Sequence, residues 1–242
     1  MELESIVLLL FLLVLLLSSC SSIGLTEDQR MQTKMSKNYY SVNEICPQLD
    51  LIYDDLETIR KEVGSIKDSF WPDWPEKELL ESESYKWNIF PFKAFNVTVD
   101  DNCKKCPTLW SFLQKIPGLK IALLSRLGPG TKLTEHRGWG NHSNHVIRCH
   151  FGFKVPGKCF ISVRENKNDK EEQRMHKENE WLLFDDSRYH YASNPTDSER
   201  IILIVDVERP SNVKVGVSTV GDTKELLQII DYYKSKTKNQ KN

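Results

Sequence analysis

Four of the six histidines in this 242-residue sequence fall in one window, HRGWGNHSNHVIRCH, at His136, His142, His145 and His150. Imidazole is the commonest protein ligand for iron, zinc and copper, and no other side chain changes charge so near neutral pH. The clustering therefore reads as a metal site. A polar surface loop accounts equally well for any one of these histidines taken singly. His190 stands alone further along, and His176 lies in a charged run that suggests no role for it.

The elements that would hold such a site follow from the pattern after Gly118, where short apolar runs alternate with turn residues as in a β-sandwich or barrel. Strands are expected at 119–127, 146–155, 160–163, 181–184 and 200–207, punctuated by Pro129-Gly130, Pro156-Gly157 and Asn194-Pro195. Period two places Arg148 and His150 on one strand face and Cys149, Phe151 and Phe153 on the other. The run RIILIVDV is apolar on both faces, as in a strand buried on both sides, and Arg200 shares a face with Ile202 and Ile204. An inward guanidinium needs a partner, either a structural carboxylate at Asp185, Asp186 or Asp206 or an acidic ligand. A barrel whose mouth holds a metal on His136 and His190, with arginines gripping an acidic cosubstrate below, accounts for all of these residues. That is the layout of iron(II)- and 2-oxoglutarate-dependent oxygenases.

The ordered residues also resemble a known family, the aspartyl/asparaginyl β-hydroxylases. The resemblance covers about 119–210 and rests on Ser125, Pro129-Gly130-Thr131, His136-Arg137-Gly138, Arg148-Cys149-His150-Phe151-Gly152, Phe184-Asp185-Asp186-Ser187, His190, Arg200, Ile204-Val205-Asp206-Val207 and Pro210. It implies a mainly β fold, a double-stranded β-helix of the jelly-roll or cupin kind with flanking helices. It also implies His136 and His190 as Fe(II) ligands, Arg200 and Ser125 on the far carboxylate of 2-oxoglutarate, and Arg148 with His150 at the carboxylate near the metal. Oxygenases of this type mostly carry a carboxylate two residues after the first histidine, where this chain has Gly138. Two histidines and a bidentate 2-oxoglutarate still make four ligands, leaving places for water and O2.

The implied chemistry is decarboxylation of the oxoacid to succinate with hydroxylation of an unactivated C–H, at the β-carbon of Asp or Asn residues in a protein. A lipid or small-molecule substrate, a halogenase with chloride in the vacated carboxylate position, a non-catalytic binding module and a barrel held by structural zinc are the alternatives. Zinc would want four protein ligands, and two histidines alone have a clear case. His142 and His145 are expected at the rim of the substrate entrance, and Asp185-Asp186 in a turn that orients His190.

The rest of the chain frames this core. With 33 Lys and Arg against 34 Asp and Glu the net charge is -1, which excludes a nucleic-acid-coating surface. Residues 1–25 read as a signal anchor or signal peptide; Leu17-Ser18-Ser19-Cys20 also fits a lipoprotein cleavage site. With the sequons at Asn96 and Asn141, the expectation is a monomer anchored by that segment in an endoplasmic-reticulum-like membrane, its catalytic domain lumenal. A linker at 26–45, a helical and extended preamble at 46–118 and a C-terminal helix with a basic tail at 211–242 complete the expected organisation. Cys103-Lys104-Lys105-Cys106 forms a local disulfide or two free thiols.

Overall fold

The computed structural model describes residues 34–239, so the expected anchor at 1–25 lies outside the described residues. Among the described residues no helix is long and apolar enough to cross a membrane. The strands are β1 (Tyr39–Tyr40), β2 (Trp87–Ala94), β3 (Val97–Thr98), β4 (Leu119–Leu127), β5 (Val146–Lys154), β6 (Phe160–Arg164), β7 (Glu172–Met175), β8 (Trp181–Phe184), β9 (Tyr189–Ser193) and β10 (Arg200–Glu208). The helices are α1 (Val42–Ile45), α2 (Leu56–Gly64), α3 (Asp100–Lys105), α4 (Pro107–Gln114), α5 (Gly140–Ser143) and α6 (Lys224–Asn239). A seven-stranded sheet, β1-β8-β5-β10-β4-β2-β3, faces a three-stranded one, β7-β6-β9. Every pairing is antiparallel. This is the expected double-stranded β-helix with flanking helices.

The long strands β4, β5 and β10 explain why the interior can carry polar chemistry. Their register sets Ile204 opposite both His150 and Leu123, Asp206 opposite Arg148, and Ile202 opposite Ser125. Alternation then gives one shared face bearing Ser125, Arg148, His150, Arg200 and Asp206 among Leu123, Ile202 and Ile204. Tyr39, Ile161, Val163, Leu182 and Phe184 form an apolar cluster that joins the two sheets. The opposite face of the large sheet buries Phe90, Phe92, Cys149 and Phe151. The ring of Phe151 meets Tyr53 edge-on at 5.8 Å, and α4 packs on β4. Each of these phenylalanines contributes roughly 1.5–3 kcal/mol by leaving water.

Three segments differ from expectation. Tyr39 and Tyr40 were expected in a linker, yet they pair with Phe184 and Leu183 and are only 3% and 5% exposed. Two residues are too short for a periodic signal, but two aromatic rings are enough to bury. In the expected preamble, Trp87–Ala94 pairs with β4 and is part of the sheet. Pro91 argues against a central strand, and here it sits where the register shifts, between Pro91 and Lys93, so its missing N–H is tolerated. The helical start of the expected preamble is a 3-10 segment, Pro47–Asp55, followed by α2, with Leu49, Ile52, Ile59 and Val63 buried. The cysteines of the CxxC are free and buried, and burial pushes both thiols up to about 12, far from a reactive thiolate.

The charged run 164–179 forms a hairpin in which β7 returns along β6, and its end folds inward across β5. A Cβ on Gly152 would stand 2.2 Å from the Lys177 carbonyl oxygen. Asn179 N–H donates to the Gly152 carbonyl at 2.8 Å. Gly152→Ala is expected to lower stability by about 1–3 kcal/mol through overpacking. The check is a lower urea midpoint at an unchanged slope.

Candidate active site

The two histidines expected as metal ligands meet at the barrel mouth. After the Pro129-Gly130 turn, where Gly130 takes the left-handed φ of 65°, the chain runs extended beside β9. His136 and His190 exchange both backbone hydrogen bonds, at 3.0 and 2.8 Å, and their ring centroids are 4.4 Å apart. Each Nδ1 is tied to a backbone carbonyl two residues earlier, His136 to Thr134 at 2.7 Å and His190 to Arg188 at 2.9 Å. A carbonyl only accepts, so both rings carry the proton on Nδ1 and leave Nε2 bare. That is the tautomer and support a metal-binding imidazole requires. Burial, then the neighbouring His190, brings His136 down to about 3, and burial brings His190 down to about 4, so both rings are neutral.

Gly138 does not leave a void. A Cβ there would lie 2.0 Å from Oδ2 of Asp186 and 2.8 Å from Cβ of Ser143. The space of a side chain at 138 is thus filled by a carboxylate arriving from the β8–β9 turn. Asp186 Oδ1 is 3.4 Å from His190 Nε2, while its Oδ2 is buried with no partner. Chloride in that position would stand against a carboxylate, which removes the premise of the halogenase reading. Among the described residues no three His, Cys, Asp or Glu side chains are grouped to hold a metal, which leaves the zinc alternative without its ligands.

Arg148 anchors this turn. It forks onto Asp206 through Nε at 2.8 Å and Nη2 at 2.7 Å, and reaches Asp186 through Nη1 at 2.5 Å. His142, expected at the rim, binds Asp206 through Nε2 at 2.7 Å and so belongs to the clamp; His145 stays exposed. Burial raises the Asp186 carboxyl above its ordinary range against the pull of Arg148. For Asp206 burial acts the same way, but the charge and hydrogen bonds of Arg148 prevail and hold it well below that range. The Asp185-Asp186 turn, expected to orient His190, is itself tied down. Asp185 takes Arg209 through two bonds of 2.6 and 2.8 Å, and Gly138 N–H donates to the Asp186 carbonyl at 2.9 Å.

Arg200 is treated differently. It is 2% exposed, its Nε and Nη1 have no hydrogen-bond partner, and among the described residues no carboxylate pairs with it. The structural salt bridge weighed for it is therefore not made, because Asp186 and Asp206 serve Arg148 and Asp185 serves Arg209. Burial lowers the guanidinium to about 10. Ser125, diagonal to Arg200 across the β4–β10 ladder, accepts from Trp87 Nε1 at 3.0 Å and keeps its own hydroxyl hydrogen to donate. His150, 4% exposed, faces the same interior. His176, for which its charged surroundings suggested no role, is placed by the hairpin inside the barrel, 4% exposed, 3.0 Å from His150. Its only sequence signal was the uncharged pair Met175-His176 inside a charged run.

Two spaces reach the centre. A mouth cavity of about 270 Å3 is lined by His136, Gly138, Arg148, Asp186 and Tyr189. An apolar cleft among Ile89, Phe95, Val97, Leu123, Ile204 and Leu226 ends at Arg148. Trp74 borders both spaces, stacked 4.5 Å from Trp87 and 5.9 Å from Trp139.

With this geometry in place, comparison is informative. A family model described as aspartyl/asparaginyl beta-hydroxylase matches residues 53–210. The chain belongs to that family. The match begins well before 119, in keeping with a sheet that includes β2 and β3. The ornithine lipid ester-linked acyl 2-hydroxylase of Rhizobium tropici is 38% identical over 133 residues, covering 53% of this chain and 44% of that protein. Aspartate beta-hydroxylase domain-containing protein 2 of Xenopus tropicalis is 36% identical over 174 residues, covering 67% and 45%. The human aspartyl/asparaginyl beta-hydroxylase is 30% identical over 142 residues, covering 56% and 17%. The chain therefore spans less than half the length of these family members. A 2OG-Fe(II) oxygenase family oxidoreductase from Burkholderia pseudomallei superposes with a TM-score of 0.51 at 8% identity, covering 66% of this chain and 82% of that one, a likeness of fold alone.

Two substitutions probe the clamp. Asp206→Asn is expected to cost about 3–5 kcal/mol, since it leaves buried charge uncompensated. Because the folded Asp206 lies below its unfolded value, its contribution is present above about pH 4 and drains as pH falls. The variant should accordingly lose stability at neutral pH and show a flatter acid limb in thermal melts. Gly138→Asp sets one carboxylate against another, so Mn(II) affinity should fall about tenfold or more. Adding Asp186→Gly should restore it.

Proposed function

We propose that this chain is an Fe(II)- and 2-oxoglutarate-dependent hydroxylase of an unactivated C–H bond. The observation that carries the reading is Arg200, a buried guanidinium without a carboxylate, in the same barrel as two neutral imidazoles with bare Nε2 atoms. A binding module or a metal-stapled barrel explains the histidines but not a charge left unpaired at such cost. In this reading His136 and His190 hold the iron, Arg200 and Ser125 take the far carboxylate of 2-oxoglutarate, and His150 with Arg148 faces the near one. The bound iron and oxoacid supply oxidising power that no side chain possesses. The protein's part is positioning and exclusion of water. Asp186 offers an acceptor oxygen beside the iron-binding nitrogens, the ion-paired Arg148 fixes that oxygen, and the apolar interior keeps bulk water out.

For the substrate we infer first the β-carbon of an Asp or Asn side chain in a protein, supported by the family's description. A second reading, an acyl chain, is supported by the apolar cleft ending at Arg148 and by the acyl 2-hydroxylase relative. Purified protein with Fe(II), ascorbate and 2-oxoglutarate should form succinate, and His136→Ala and His190→Ala should each abolish it. A wild type that binds neither iron nor 2-oxoglutarate would sink the reading. A 16 Da mass gain on an Asp/Asn-containing peptide or on a fatty acyl ester decides between the two substrates.

A further inference from the structure

We propose that His176 is a positioning residue of the cosubstrate pocket: through its hydrogen bond to His150 it sets the tautomer and ring plane with which His150 faces the acidic cosubstrate. This rests on the hydroxylase reading above and extends it to a residue outside the resemblance.

His176 follows β7, and its N–H donates to the Cys159 carbonyl at 2.9 Å, which turns the side chain into the barrel. Its Nε2 lies 3.0 Å from Nδ1 of His150, with the ring planes 19° apart. His150 in turn packs edge-on against Phe184 at 5.0 Å, and Phe184 against His190 at 5.2 Å. Four buried polar atoms in this part of the interior have no partner: His150 Nε2, His176 Nδ1, and Nε and Nη1 of Arg200. Buried polar groups are normally paired, so such a collection marks a place for a ligand.

Proton counting fixes the direction of the pair. Burial, then His176, pushes His150 far below its usual range, while burial and the charge of Arg200 do the same to His176, so both rings are neutral. Each neutral ring has one N–H and one bare nitrogen, and one proton lies between the two rings. A carboxylate only accepts, so the His150 nitrogen that faces it, Nε2, must carry hydrogen. Nδ1 of His150 is then bare and accepts from Nε2–H of His176. That leaves Nδ1 of His176 bare, on a ring that lies in the field of the Arg200 guanidinium, which favours a lone pair over a further N–H. The opposite arrangement would set a bare His150 lone pair against the carboxylate. His176 thus does for His150 what outer carbonyls do for His136 and His190, and the hairpin crossing at Gly152 is what delivers it.

The test uses the full chain loaded with Mn(II), which binds without turnover. Calorimetry measures 2-oxoglutarate affinity for wild type, His176→Phe, which keeps a ring without a donor, and His176→Gln, which keeps a donor. Histidine-ring nitrogen-15 shifts report the His150 tautomer. Expected are roughly tenfold weaker binding in His176→Phe, as for loss of an outer-shell partner, recovery of most of it in His176→Gln, and His150 protonated on Nε2 in the wild-type complex. Unchanged affinity in a folded His176→Phe, or His150 protonated on Nδ1 in the wild-type complex, overturns the inference while leaving the hydroxylase reading intact. Wild type that binds no 2-oxoglutarate overturns both. Should His176→Phe not fold, His176→Gln and the wild-type spectrum decide: weak binding by His176→Gln with His150 protonated on Nδ1 overturns the assignment, and near-wild-type binding with Nε2–H upholds it.

Discussion

A guanidinium taken out of water must be met by carboxylates, and the site is arranged around one arginine for which that requirement is fulfilled. Arg148 of β5 gathers Asp206 from β10, Asp186 from the β8–β9 turn and, through Asp206, His142 of α5. These groups come from parts of the chain distant in sequence. Their desolvation is tolerable only when every member is present, because a half-satisfied buried network is worse than an apolar one. The positions of His190 and of the Gly138 backbone follow from that set, since the Asp186 turn is joined to both.

The second arginine is instructive because the fold withholds from it what the first receives. Arg200 lies on β10, the same strand as Asp206, and shares its inward face, yet Asp206 is fully committed elsewhere. Asp185 is likewise committed, to Arg209. Withholding a counter-ion from a buried cation makes the barrel selective: the anion that completes it must come from outside. Two histidines in one defined tautomer lie above this cation, and another buried histidine pair lies near it. Charge and tautomer thus suit the dicarboxylate cosubstrate proposed above.

The parts of this arrangement legible in the sequence are those governed by local period. The alternation in 146–153 and 200–207 placed Arg148, His150 and Arg200 on interior faces, and the observed β4 and β8 run over the expected residues. Asp206 was visible as a carboxylate in an otherwise apolar strand, which demands a partner, but the choice of arginine depends on strand order, a long-range property. His176 was illegible for the same reason, and so was the seat of Asp186 against Gly138, although Asp186 stood out as a candidate partner for an inward arginine. A hairpin's inward turn and the fit of a carboxylate against a glycine are set by contacts that no window of residues contains. Strand β2 was obscured by Pro91, whose tolerance comes from a register shift in its pairing with β4.

The tryptophan stack has an optical consequence. Trp74 lies between Trp87 and Trp139 in near-parallel planes, 16° and 17° from its neighbours, so excitation of one indole is shared with the others. Trp87 donates its N–H to Ser125, and Trp139 donates its own to Glu76 beside the mouth. An occupant of the proposed cosubstrate pocket, at Ser125, would perturb one end of the stack, and an occupant of the mouth would perturb the other. The fold has thereby built an intrinsic fluorophore whose emission senses both compartments, without a label and without turnover.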